Sequence, residues 1–183
     1  APDGSLFMTD WVDKSYTLHG KGRIWRLRAK APGTKPSVSR CPPDSPALLR
    51  MKEVPSATSK ESLPGLLTLL GDPDPFLVSA AIGTLARVGG APYLLEQIGH
   101  KDPKIRLGVL LALRRTPDTS AAEKFLEDPD PGVRRAAVQW AGEAGLLPLA
   151  AAVEAAASRP PVTQALFEAY LAAMDAFSDR LSQ

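Results

Sequence analysis

The amino-acid sequence predicts a mainly α-helical protein, an α-solenoid of stacked helical hairpins preceded by a short pair of β-strands. Asp-Pro pairs recur at Asp74-Pro75, Asp102-Pro103 and Asp130-Pro131, each 28 residues after the last and each opening an apolar, helix-forming stretch. A period of this length marks a helical repeat array. Aromatic residues make up only 6% of the chain and its C-terminal part is rich in Ala and Leu, which favours helix over sheet. A Pro-rich stretch without apolar periodicity separates these patterns from the N-terminal segment. The expected organisation is a strand pair over residues 1–29, a linker over 30–45 and the repeat array over 46–183.

Each element has its own signal. Asp3-Gly4-Ser5 marks a turn, and Leu6-Phe7-Met8-Thr9-Asp10-Trp11 is short, apolar and aromatic enough for a strand. Gly22-Arg23-Ile24-Trp25-Arg26-Leu27-Arg28 alternates, with Trp25 and Leu27 on one face and Ile24, Arg26 and Arg28 on the other, so it is the antiparallel neighbour. Two strands alone are marginal in water and need more strands or a helical layer, so the chain reads as a fragment of a larger protein. Pro32, Gly33, Pro36, Pro42, Pro43 and Pro46 punctuate the linker. A short helix is expected from Pro46 to Val54. From Glu61 to Leu70, residues Leu63, Leu66, Leu67 and Leu70 form one apolar helical stripe.

In the array, Asp74, Asp102 and Asp130 occupy capping positions where a carboxylate accepts an otherwise unpaired helix N–H, and the following Pro has no N–H to lose. The residue before proline is pushed out of the α region, so Asp72-Pro73-Asp74-Pro75 and Asp128-Pro129-Asp130-Pro131 also stop the preceding helices. Aligned copies place Leu77, Ile105 and Val133 in one column, Ala80, Gly108 and Ala136 in a small-residue column, and Ile82, Leu110 and Val138 in a third. Second helices are expected at about Ala91 to Gly99, Ser120 to Glu127 and Leu146 to Ala157. A last helix from about Val162 to Leu181, carrying Leu166, Tyr170, Ala173 and Phe177 and ending in Ser178, Asp179 and Arg180, would close the array.

The formal charge of +2 hides an asymmetry: residues 1–60 hold 11 Lys or Arg against 5 Asp or Glu, and residues 61–183 hold 11 against 15. No run of 18 apolar residues is present, so no membrane span is expected. The lone Cys41 cannot form an intramolecular disulfide.

Candidate sites are few. Asp3, Asp10 and Asp13 lack the dense carboxylate and Gly pattern of a calcium loop, and His19, His100 and Cys41 are too scattered for zinc. No nucleophile elbow, metalloprotease helix or phosphate-binding glycine loop occurs, so no catalytic residue, cofactor or metal is expected in this region. Lys21, Arg23, Arg26, Arg28 and Lys30 around Trp25 suggest a nucleic-acid patch, but Trp25 faces away from Arg26 and Arg28, and the array is net acidic. A solvated strand face is the better reading. Arg87, Arg114, Arg115 and Arg135 either line a groove for an acidic partner or sit near helix C-termini, where the macrodipole favours cations. The expected interaction face is that of the second helices, offering Glu96, Gln97, Glu123 and Lys124 to a protein or to another domain of the same chain.

Residues 128–138, Asp-Pro-Asp-Pro-Gly-Val-Arg-Arg-Ala-Ala-Val, resemble the first-helix signature of short bacterial HEAT repeats. That resemblance implies that Arg106 and Arg134 reach toward the neighbouring repeat's capping Asp as an internal ladder. Val78 takes their place in the first copy, which implies a weaker ladder there. Residues 3–13 and 19–26 resemble the closing strands of the β-propeller in large bacterial PVC-type haem-binding, membrane-bound-dehydrogenase-like proteins. That family continues into HEAT repeats and commonly ends in a cytochrome c domain. The resemblance implies a periplasmic or otherwise exported oxidoreductase, similar in its propeller to sugar dehydrogenases, in which this region spaces the domains. The haem motif itself is absent, since Pro42, Pro43 and Asp44 follow Cys41.

Overall fold

The computed structural model describes residues 5–10, 22–28 and 46–182. Contacts divide the chain into two units, Ala1–Ser45 and Pro46–Gln183. The expected linker and Asp3, Asp13, His19, Lys21, Lys30 and Cys41 lie outside the described residues.

In the first unit, β1 (Leu6–Asp10) and β2 (Arg23–Leu27) form a two-stranded antiparallel sheet in the register Leu6↔Leu27, Phe7↔Arg26, Met8↔Trp25, Thr9↔Ile24 and Asp10↔Arg23. Side chains alternate between faces, so Leu6, Met8, Trp25 and Leu27 share one, and Phe7, Ile24 and Arg26 share the other. The Trp25 indole N–H donates to Asp10 at 3.3 Å, and the Arg26 guanidinium lies 5.6 Å from the centre of the Phe7 ring. Asp10 thus serves the strand pair. Arg26 and Arg28 both donate to the Ser5 hydroxyl, so neither cation projects unengaged from a strand face. Leu6, Phe7, Met8, Ile24, Trp25 and Leu27 all remain between 47% and 74% exposed.

The described residues of the second unit form nine packed α-helices: α1 (Pro46–Ser56), α2 (Leu63–Thr68), α3 (Pro75–Val88), α4 (Gly90–Glu96), α5 (Pro103–Leu113), α6 (Ala122–Leu126), α7 (Pro131–Ala144), α8 (Ala150–Ser158) and α9 (Gln164–Leu181). Three of them begin alike. Asp74 accepts from the Phe76 N–H, Asp102 from Lys104, and Asp130 from both Gly132 and Val133, with Pro opening each helix. Each cap satisfies donors that the helix cannot pair internally. At the other end of α7, Gly145 adopts left-handed backbone with φ 63°, which lets the Leu146 N–H reach the Ala141 carbonyl at 2.9 Å.

The two columns of large residues occupy the interior, with Ala80 of the small column only half-buried. Leu77, Ile105, Val133, Ile82, Leu110 and Val138 are buried, and α5 buries residues around most of its circumference because α3 and α7 both pack on it. The small positions permit close approach: a Cβ on Gly108 would stand 2.8 Å from the Leu70 δ-carbons, and one on Gly142 would stand 2.8 Å from the Ala173 Cα.

Several boundaries differ from the sequence expectation. The stretch expected as one helix over Glu61–Leu70 is α2 flanked by 3₁₀ turns at Lys60–Ser62 and Leu69–Gly71. The second helices are shorter than expected, since Gly90 and Glu96 bound α4 and an Asp118 turn onto the Ser120 N–H precedes α6. Pro148 lies in a 3₁₀ turn, so α8 starts at Ala150 rather than Leu146. On α9 the buried face is Leu166, Ala169, Ala173 and Phe177, with Tyr170 only half-buried, while Phe167 and Leu171 are about half exposed.

Candidate functional site

A ladder of arginines runs through the second unit with the 28-residue period. Arg106 donates from Nε and Nη2 to the two Asp128 oxygens at 2.7 and 2.8 Å, and from Nη1 to the His100 and Lys101 carbonyls. Both partners are buried, and this bidentate bond holds the Arg106 pKa above its ordinary high value. Arg134 is fully buried and makes the same backward contacts, from Nη1 to the Asp128 and Pro129 carbonyls. Its Nε meets Ala156 O at 3.2 Å, and its Nη2 meets Arg159 O and Pro161 O, each at 2.7 Å. All the N–H bonds of its guanidinium are used on carbonyls.

The ladder departs from the expected geometry. The capping Asp102 and Asp130 are not its acceptors; Oδ1 of each accepts the first helical N–H groups instead. Arg106 instead binds Asp128, two residues before the cap, whose Oδ1 also accepts the Asp130 N–H at 2.8 Å. Arg134 finds Ala156 where Arg106 finds Asp128, and the C-terminal end of α8, with its partial negative charge, supplies carbonyls in place of a carboxylate. At the first interface both members change together. Val78 replaces the arginine, and His100 replaces the aspartate, its Nδ1 accepting the Asp102 N–H at 3.1 Å as Asp72 and Asp128 do for Asp74 and Asp130. Nδ1 is therefore an acceptor here, and the turn is kept without an ion pair.

A further rung lies upstream. Arg50 donates to Asp72 at 2.7 Å, the same 22-residue reach as Arg106 to Asp128. The Asp74 backbone N–H, then Arg50, hold the Asp72 pKa below its ordinary value. Leu49, Arg50 and Val54 precede Leu77, Val78 and Ile82 by 28 residues, so this copy was visible in the sequence. It was missed because α1 starts without the Asp-Pro pair.

Recesses mark the surface of the described residues. One of about 330 Å³ lies between α7 and α9, lined by Arg135, Gln139, Glu143 and Glu168 over small residues. Two others share Arg115: one of about 630 Å³ between α3 and α5, and one of about 620 Å³ between the end of α3, the start of α4 and the turn after α5. Of the arginines grouped in the sequence, Arg87 donates to the Pro55 and Ala57 carbonyls at the end of α1, and Arg114 pairs with Glu143. Arg115 and Arg135 have no side-chain partner among the described residues. Glu96, Glu123 and Lys124 are exposed on helices of seven and five residues, and Gln97, half-buried, caps the end of α4. Burial of the phenol, and then the charge of neighbouring Glu96, raise the pKa of Tyr93. No cluster of three or more His, Cys, Asp or Glu fit for a metal occurs among the described residues.

Comparison with protein-family models, curated proteins and solved structures gives no match to this chain.

Proposed function

We propose that residues 46–183 are a non-catalytic HEAT-like α-solenoid, a scaffold that binds a protein segment or another domain of its own chain. The recurring arginine clamp, repeated at Arg50, Arg106 and Arg134 with one reach, supports this reading. Such clamps fix units to their neighbours and leave the outer helix faces to carry recognition, which is how repeat arrays work. No helix of the described residues is long and apolar enough to cross a membrane.

The exposed apolar strand pair favours a second reading, in which the chain belongs to an exported propeller-containing oxidoreductase and this region spaces its domains. Crosslinking the native protein and mapping the linked residues by mass spectrometry separates the two. Links from the array to a distinct polypeptide, or to a domain of its own chain that is neither propeller nor haem domain, support the scaffold. Links to a propeller or haem domain within a much larger chain support the spacer. An array that crosslinks to nothing contradicts both.

A further inference from the structure

The seam between α3 and α5, continued by α4 and the turn after α5, carries two recesses that share one side chain. Val78, Ile82 and Leu111 give the first its apolar wall, and Ala86, Ala91 and Pro117 give the second its own. Arg115 borders both. Its Nη1 lies over Gly83, where a Cβ would stand only 2.8 Å away, so the missing side chain lets the guanidinium lie across α3. The other charges bordering the seam are engaged: Arg114 with Glu143, Arg87 with the α1 carbonyls, Asp72 with Arg50, and Asp118 with the Ser120 N–H. Arg115 has no side-chain partner among the described residues, and it offers a planar fork of donors that matches a carboxylate. The first recess also coincides with the ladder gap, since Val78 stands where the other units place an arginine.

From this placement we infer that the α3/α5 seam docks a segment of a separate polypeptide in which an acidic residue is flanked on both sides by apolar ones. The carboxylate sits on Arg115 and an apolar side chain enters each recess. The inference rests on the scaffold reading and specifies its partner. A nucleic-acid strand fits worse, because phosphate tracking needs a row of free cations and the seam has a single one among the described residues.

The test is to pan a phage library of random dodecapeptides on the whole chain and to measure selected peptides by fluorescence polarisation against wild type and Arg115→Glu. Circular dichroism checks that the variant melts as wild type does. Selected peptides should carry Asp or Glu between apolar residues, and Arg115→Glu should weaken them about tenfold or more. A peptide with Lys in place of the acidic residue should regain binding to the variant. Selected peptides that bind wild type and Arg115→Glu alike would overturn the seam while leaving the scaffold reading standing. Recovery of no binding peptide would count against both. A wild-type dimer abolished by Arg115→Glu, seen by sedimentation velocity, would assign the seam to a second copy of the chain and overturn the assignment to a separate partner.

Discussion

Replacing Arg134 by Met keeps the length and apolar stem of the side chain and removes its donors. Five carbonyls then lose a partner: Asp128, Pro129, Ala156, Arg159 and Pro161. The bonds to Ala156 and Asp128 are buried, and the other three are only part-buried. Water can reach the part-buried carbonyls once the guanidinium is gone, so their loss is largely offset. Each of the two buried acceptors left unsatisfied costs about 1–3 kcal/mol, and Met recovers part of the cost of burying a charge, which gives about 3 kcal/mol for Arg134→Met. Urea unfolding followed by far-UV circular dichroism measures it. With a slope of about 2 kcal/mol per molar, the midpoint should fall by about 1.5 M. Arg134→Lys should fall between the two, because a point charge with three donors cannot span this set of carbonyls. The neighbouring Arg135→Met is the control, since Arg135 is exposed and has no side-chain partner among the described residues, and it should change stability by less than about 0.5 kcal/mol. An Arg134→Met protein as stable as the control would refute the reasoning, because it would mean that the buried Ala156 and Asp128 carbonyls need no donor.

Further outcomes follow from the same contacts. Gly142→Ala gains helix propensity of about 1 kcal/mol yet drives a Cβ to 2.8 Å from the Ala173 backbone, so it should lower the melting temperature, whereas Gly65→Ala, with nothing within 4 Å, should not. Introducing both Val78→Arg and His100→Asp restores the missing rung. A double-mutant cycle on thermal unfolding should show favourable coupling of about 1 kcal/mol, and additive effects would contradict the ladder assignment. Acid stability follows the sign of the Asp72 shift: its pKa is lower folded than unfolded, so its contribution is complete above the ordinary value of 3.8 and is lost as pH falls through the lowered value. Asp72→Asn should therefore lower stability at neutral pH and narrow its gap to wild type below pH 3.8, as measured by urea midpoints across that range.

Much of the helical layout was legible because local chemistry specifies it. An Asp followed by Pro both caps and opens a helix, so the starts at Pro75, Pro103 and Pro131 could be placed from sequence, and the buried columns followed from one alignment of the copies. What local signals could not convey is which acceptor a long side chain reaches. Asp130 and Asp128 look alike in sequence, each holding a backbone N–H on Oδ1, and only the fold decides that Arg106 reaches Asp128. Likewise, Ala156 carries no side-chain signal for the carbonyl that receives Arg134. The arginine cluster was visible, but the division between Arg87 and Arg114, which hold the fold, and Arg115, which does not, depends on tertiary contacts.

The central claim is that the guanidinium rungs of Arg50, Arg106 and Arg134 bind helical units to their neighbours. A double-mutant cycle on Arg106 and Asp128, using Arg106→Met and Asp128→Asn in urea unfolding, tests it most directly. This pair is buried and bidentate, so the cycle should return a coupling energy of about 2–3 kcal/mol. Losses that simply add, with coupling under about 0.5 kcal/mol, would show that the units are held by apolar packing alone and that the ladder is incidental.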